Sequence, residues 1–138
     1  MRVLVLCTGN SARSQMAEGI LRSLGRGVIE VESAGTHPSK VNPLAIEAMN
    51  EIGIDISNHR SKPVDEFAQQ QFDMVITVCD RAKESCPIFL GAPERIHWSY
   101  DDPAAVEGSQ CEKLVAFRRV RDDLRLRIKG LLASHILK

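Results

Sequence analysis

The chain has 138 residues, 43% hydrophobic and 26% charged, the size and balance of one soluble globular domain spanning residues 1–138 with a real core. Lysine plus arginine and aspartate plus glutamate stand at 18 each, so no net charge points to nucleic acid or an anionic membrane surface. No stretch approaches a membrane span in length and the first residues run straight into a strand without a leader, so a cytoplasmic protein is expected.

Arg2–Leu6 reads as a first, buried strand, with Val3-Leu4-Val5-Leu6 apolar throughout. Directly behind it stands Cys7-Thr8-Gly9-Asn10-Ser11-Ala12-Arg13-Ser14, a cysteine, five small or polar residues and an arginine. Ser14–Leu24 follows as a helix with Met16, Ala17, Ile20, Leu21 and Leu24 on one face, closed by Gly25 and Gly27. A small-residue loop between strand and helix turns its amide groups inward and makes a nest for a tetrahedral oxyanion. Arg13 suits two oxygens of that anion with its planar fork, and Cys7 at the floor is placed as a nucleophile. Thr8, Gly9, Asn10, Ser11, Ala12, Arg13 and Ser14 are therefore the predicted substrate-binding residues. Ser14 either donates to the Cys7 sulfur or caps the helix, and Asn10 either braces the loop or takes up a turn with positive φ.

Val28–Glu32 reads as a second strand ending at Ser33-Ala34-Gly35. Asn42-Pro43 is a cap and first-turn pair for a helix over Leu44–Ile52, ended by Gly53. Asp65–Gln71 reads as a short helix, Asp73–Val78 as a central strand and Arg95–Trp98 as a fourth, shorter one. From Glu112, Leu114, Phe117, Val120, Leu124, Ile128 and Leu131 recur at helical spacing. Arginines 118, 119, 121, 125 and 127 are expected on its solvated face, offset by Asp122 and Asp123. Strand–helix alternation predicts a doubly wound α/β domain with a parallel sheet; four strands in the order 2-1-3-4, with helices on both faces, are expected. Ligands in such sheets bind at the carboxyl ends of strands, where the Cys7 loop lies.

Four cysteines stand at 7, 79, 86 and 111. Short Cys-x-x-Cys pairs are absent, which argues against structural zinc. Cys79 follows the third strand. If strands one and three are neighbours, Cys7 and Cys79 leave strands about 4.8 Å apart. Cys86 lies seven residues further on, about 10.5 Å along a helix, beyond the roughly 4.4–6.8 Å that a disulfide spans. A Cys79–Cys86 bond therefore requires the segment between them to be non-helical. One reading is a redox switch; the other is a buried thiol and a surface thiol at helical spacing. Cys111 has no evident partner. Asp102, held extended by Pro103, is placed to act as a general acid above the nest, with Asp101 the second choice and an ordinary Asp-Pro turn the bland reading. Of the histidines 37, 59, 97 and 135, only His59 and His97 are candidates to approach the site.

Cys7–Gly19 (CTGNSARSQMAEG), Ser33–Pro38 (SAGTHP), Ile54–Ser57 (IDIS), the Cys79/Cys86 pair and His97–Ala104 (HWSYDDPA) together resemble the thioredoxin-coupled arsenate reductases, which share the low-molecular-weight tyrosine phosphatase fold. The resemblance implies that Cys7 attacks arsenate, with Asp102 as acid. It implies a transient Cys7–Cys79 disulfide, then a Cys79–Cys86 disulfide that thioredoxin reduces. Arsenate is the implied substrate, phosphate and sulfate its mimics, and thioredoxin the partner. No cofactor, nucleic acid or membrane is implied, and a monomer is expected. A low-molecular-weight phosphotyrosine phosphatase is the alternative. Where many relatives carry a further cysteine this chain has Ala12, a position the relay does not use. Some relatives bind potassium beside the loop through an asparagine, a glutamate, a serine and a later aspartate. Asn10, Glu18 and Ser33 match, but Lys62 stands in place of the aspartate, so no metal is expected and the lysine ammonium is the stand-in cation.

Overall fold

The computed structural model describes residues 1–79 and 93–135. In chain order these form β1 (Arg2–Cys7), α1 (Arg13–Leu24), β2 (Glu30–Gly35), α2 (Pro43–Asn50), a 3-10 turn (Val64–Phe67), β3 (Met74–Thr77), β4 (Glu94–His97), a second 3-10 turn (Pro103–Ala105) and α3 (Gln110–His135). The sheet is parallel with the expected order β2-β1-β3-β4. Val3–Leu6 are fully enclosed, the burial that an all-apolar strand at the centre of a parallel sheet requires.

Local chemistry explains most boundaries. Asn42 caps α2, its side chain accepting from Leu44 N at 2.8 Å, with Pro43 in the first turn. Gly53 has a φ of 78° and turns the chain after α2. β2 begins later than its apolar pattern suggested. Gly27, at a φ of 81°, is still turning, and Val28 is half exposed. The strand then runs on through Ser33-Ala34-Gly35, because Val5, Leu6 and Cys7 take those residues as their ladder partners.

α1 lies on β1 and β2, and α3 packs across α1 and α2. Phe117, Leu124 and Ile128 of α3 are fully buried in that seam, each contributing about 1.5–3 kcal/mol. The arginine face of α3 is not uniformly solvated. Arg121 is only 8% exposed, donating to Ala48 O at 2.8 Å and to Glu51 at 2.7 Å. Arg118 chelates the same Glu51, whose pKa its hydrogen bond helps hold down to about 2. Helical period located the apolar stripe but not the acidic partner, which comes from α2's far end. The connection between β3 and β4, residues 80–92, lies outside the described residues.

Candidate functional site

The loop after β1 is built by where its carbonyls point. Cys7 O accepts from Thr36 N, Thr8 O from His37 N, Gly9 O from Ser39 N and Ser11 O from Asn42 N, at 2.8–3.3 Å. Asn10 O accepts from Gln15 Nε2 and Ser61 Oγ, and Ala12 O from Met16 N within the first helical turn. All six carbonyls face outward onto partners. Every peptide bond described is trans, so each N–H lies opposite its carbonyl, and the amides of residues 8–13 are directed inward. The helix α1 opens at Ala12 with no side-chain cap, leaving its first N–H groups on the same side.

Asn10 holds this shape. Its φ is 47°, and its side chain donates to Ser14 Oγ (2.8 Å) and Ser33 Oγ (2.9 Å) while accepting from Lys62 N (2.8 Å) and Gln15 Nε2 (3.0 Å). Both sequence readings of Asn10 thus hold at once. Gly35 is needed for the same reason. A Cβ there would stand 2.5 Å from Thr8 O and 2.9 Å from Asn10 N. Ser14 does not cap; its hydroxyl lies 3.0 Å from Cys7 Sγ.

Cys7 is 2% exposed and Cys79 4%, and the two are not joined in a disulfide. β1 and β3 pair directly, Leu6 opposite Thr77, so the two cysteines leave adjacent strands. Thr8 Oγ1 lies 3.3 Å from Cys79 Sγ. Thr8, Arg13, Cys79, Ser99, Tyr100, Asp101 and Asp102 line one open cavity of about 360 Å³. Arg13 is steadied there by donating from Nη1 to Tyr100 O at 2.9 Å. Asp102 Oδ1 accepts from Ala104 N at 3.0 Å and starts the second 3-10 turn, so the Asp-Pro turn is real and also brings the carboxylate to the cavity wall. Cys86 lies outside the described residues.

Beneath the loop sits a buried polar cluster that sequence reasoning glimpsed only in part. Ser33 Oγ donates to Glu18 Oε1 at 2.7 Å, and Lys62 Nζ reaches Glu18 Oε1 at 3.4 Å and Glu32 Oε2 at 2.5 Å. His59 Nδ1 faces Glu18 Oε2 and Gln15 Oε1 at 3.1 and 3.0 Å, while Arg22 Nη1 donates to His59 Nε2 at 3.2 Å. That pattern assigns the neutral ring protonated at Nδ1. Burial pushes the His59 pKa below its usual 6.5, against the pull of Glu18. His59 touches the loop through Gln15 and does not line the cavity, and His97 instead contacts Thr77 Oγ1 at 2.7 Å. The positive charge of Lys62 stands on the carboxylates that a metal cation would need, so the residues present do not fit a potassium ion there. Ser61 and residues 39–41 stood in no motif, and Gln15, Thr36 and His37 stood in matched stretches without a role of their own. Their one shared signal is proximity in sequence to residues that had one.

A parallel sheet that delivers a buried thiol into a main-chain anion nest, with an arginine at the end of the loop, defines a phosphatase-like P-loop protein. The chain belongs to the low molecular weight phosphotyrosine protein phosphatase family, whose profile matches residues 2–138. Within it the chain is similar to proteins called arsenate reductases. It is 48% identical over 127 residues to one from Halalkalibacterium halodurans, covering 92% of this chain and 91% of that one. A solved arsenate reductase in its oxidised state matches with a TM-score of 0.83 at 36% identity, covering 96% of this chain and 97% of the other. The thioredoxin-dependent arsenate reductase of Corynebacterium glutamicum matches with a TM-score of 0.75 at 28% identity, over 96% of this chain and 60% of that one.

Proposed function

We propose that this chain is a cytoplasmic, monomeric, single-domain arsenate reductase working by a three-thiol relay regenerated by thioredoxin. The observation that carries the reading is Cys79. It is a second buried thiol on the wall of the cavity that also holds Arg13 and Asp102, one residue's breadth from the Cys7 loop. Phosphate ester hydrolysis has no use for it.

Arsenate enters the nest, its oxygens met by the amides of residues 8–13 and the Arg13 fork. The Cys7 thiolate, facing the Ser14 hydroxyl, attacks arsenic, and Asp102 protonates the departing oxygen, which leaves as water. Cys79 then attacks the Cys7 sulfur. The arsenic–sulfur electron pair passes to arsenic, arsenite leaves, and a Cys7–Cys79 disulfide remains. Cys86 attacks Cys79, freeing Cys7, and thioredoxin reduces the Cys79–Cys86 bond. Arsenic gains two electrons and two thiols lose them, so the cycle balances. Lys62 supplies the positive charge beneath the loop, and exchanging sodium for potassium should leave the KM for arsenate unchanged.

The test is arsenate-dependent oxidation of reduced thioredoxin by the full chain. Cys79→Ser should stop after one adduct on Cys7, seen by thiol mapping; normal multiple turnover by that variant rejects the relay. The family match favours phosphotyrosine hydrolysis as a second reading. With one Tyr, one Trp and four Phe in the chain, aromatic walls for a phosphotyrosine ring are scarce. A kcat/KM for phosphotyrosine peptides far above that for arsenate would reverse the ranking.

A further inference from the structure

Arg13 reaches into the cavity, yet its nearest recorded partner is not on the loop. It is the main-chain carbonyl of Tyr100, which accepts from Arg13 Nη1 at 2.9 Å. The same residue is tied at its other end to α3. The Tyr100 hydroxyl donates to Asp123 Oδ2. Arg127 Nε pairs with that carboxylate oxygen at 3.2 Å, and its guanidinium carbon lies 5.2 Å from the Tyr100 ring centre and 5.9 Å from that of Trp98. Burial and the Asp123 hydrogen bond both raise the pKa of the phenol, so at neutral pH the hydroxyl keeps its proton as a donor.

Residues 98–102 follow the last strand, whose ladder Trp98 N extends by donating to Thr77 O at 2.8 Å. Asp102 contacts only its own turn through Ala104 N among its recorded hydrogen bonds. Residue 100 links two parts of the molecule, tied at one end to the exposed carboxylate of Asp123 on α3 and at the other to the arginine of the loop. With Nη1 engaged by the carbonyl, the Nε and Nη2 edge of Arg13 is left to face an oxyanion as a fork.

We propose that Tyr100 is a positioning residue for Arg13, and that its hydroxyl, seated on Asp123 and Arg127 of α3, fixes the carbonyl that aims the guanidinium over the nest. This rests on the reading of the Cys7–Ser14 loop as the oxyanion site. It makes α3 part of substrate affinity although no α3 residue lines the cavity that holds Arg13 and Cys79. Loss of the hydroxyl leaves the carbonyl in place but lets it wander, so the penalty falls on anion binding before it falls on the chemical step.

The experiment uses inorganic phosphate as a probe independent of turnover. Protection of Cys7 from alkylation by iodoacetamide, mapped by mass, gives the phosphate Kd of the full chain; arsenate KM and kcat are measured alongside. Tyr100→Phe should raise the phosphate Kd and the arsenate KM together by about three- to tenfold, with kcat changed by less than about twofold. Asp123→Asn keeps an acceptor for the hydroxyl and should bind phosphate like the wild type. Asp123→Ala should copy Tyr100→Phe, and the double variant should be no weaker than either single one. Asp123→Ala also keeps the tyrosine ring, so it carries the test if Tyr100→Phe folds poorly. Unchanged Kd and KM in Tyr100→Phe and Asp123→Ala, a fall in kcat alone, or additive losses in the double variant would overturn the proposal while leaving the oxyanion site standing. A wild type that phosphate does not protect overturns that site, and this inference with it.

Discussion

The loop from Cys7 to Ser14 and the segment from Trp98 to Val106 face one cavity and are held in opposite ways. The loop is buried or half-buried throughout, and each carbonyl from Cys7 to Ala12 has a hydrogen-bond partner. Among the described residues no buried side-chain polar atom lacks a hydrogen bond, and much of that bonding lies under this loop. The second segment is largely exposed and depends on a few long-range contacts through Arg13 and Tyr100. Rigid amides suit a group that must recognise charge and shape without reorganising. A looser carboxylate suits a group that must follow a leaving oxygen and then let product go.

The contrast can be broken at its chemical end first. Asp102→Asn still starts the 3-10 turn, because asparagine caps as well as aspartate. Arsenate turnover should nevertheless fall by about 10²–10³-fold, with the denaturation midpoint almost unmoved; equal turnover would remove Asp102 from the acid role.

Asn10→Ala should do the reverse. It removes the donor to Ser14 and Ser33, leaves the Lys62 amide without its side-chain acceptor, and puts a Cβ residue without local hydrogen bonding at a φ of 47°. Stability should drop by about 3 kcal/mol in urea denaturation. Asn10→Gly relaxes only the backbone part, so it should recover a minority of that loss. Full recovery by glycine would mean that the side-chain network contributes nothing.

The smallest effect is a slope. The folded pKa of His59 lies below its free value of 6.5, so the unfolded chain binds the extra proton first. The stability tied to the neutral ring is present above pH 6.5 and is lost as pH falls through the lower folded value. Protonation at Nε2 also sets a proton against the Arg22 donor. The urea midpoint should decline between pH 7.5 and 5.5, and His59→Gln should flatten the decline; a parallel slope in that variant would place the titration elsewhere. Glu51, Asp55 and Glu66 have lowered pKa values and act only at more acidic pH.

The sequence exposed whatever depends on neighbours in the chain. Strand, nest and helix follow one another within residues 2–24, so Cys7, Asn10 and Arg13 were legible. Asn42-Pro43 announced α2 by local capping chemistry alone. The parallel sheet followed from strand–helix alternation, and its strand order is the expected 2-1-3-4. The misses are contacts between distant segments. Arg121 meets Ala48 and Glu51, His59 reaches Gln15, and Tyr100 reaches Asp123. Each pairs a polar residue with a partner that no periodicity marks. Lys62 was placed beside Glu18 only because a family pattern located the position; nothing in SKPVD itself says that the ammonium turns inward.

The outward carbonyls of the loop are met mainly by the amides of Thr36, His37, Ser39 and Asn42, main chain against main chain. Recognition written in peptide groups is largely indifferent to the letters hung on them. Mutational drift at positions 8, 9, 11 and 12 can proceed without erasing the anion's cradle, so long as the path of the backbone is inherited.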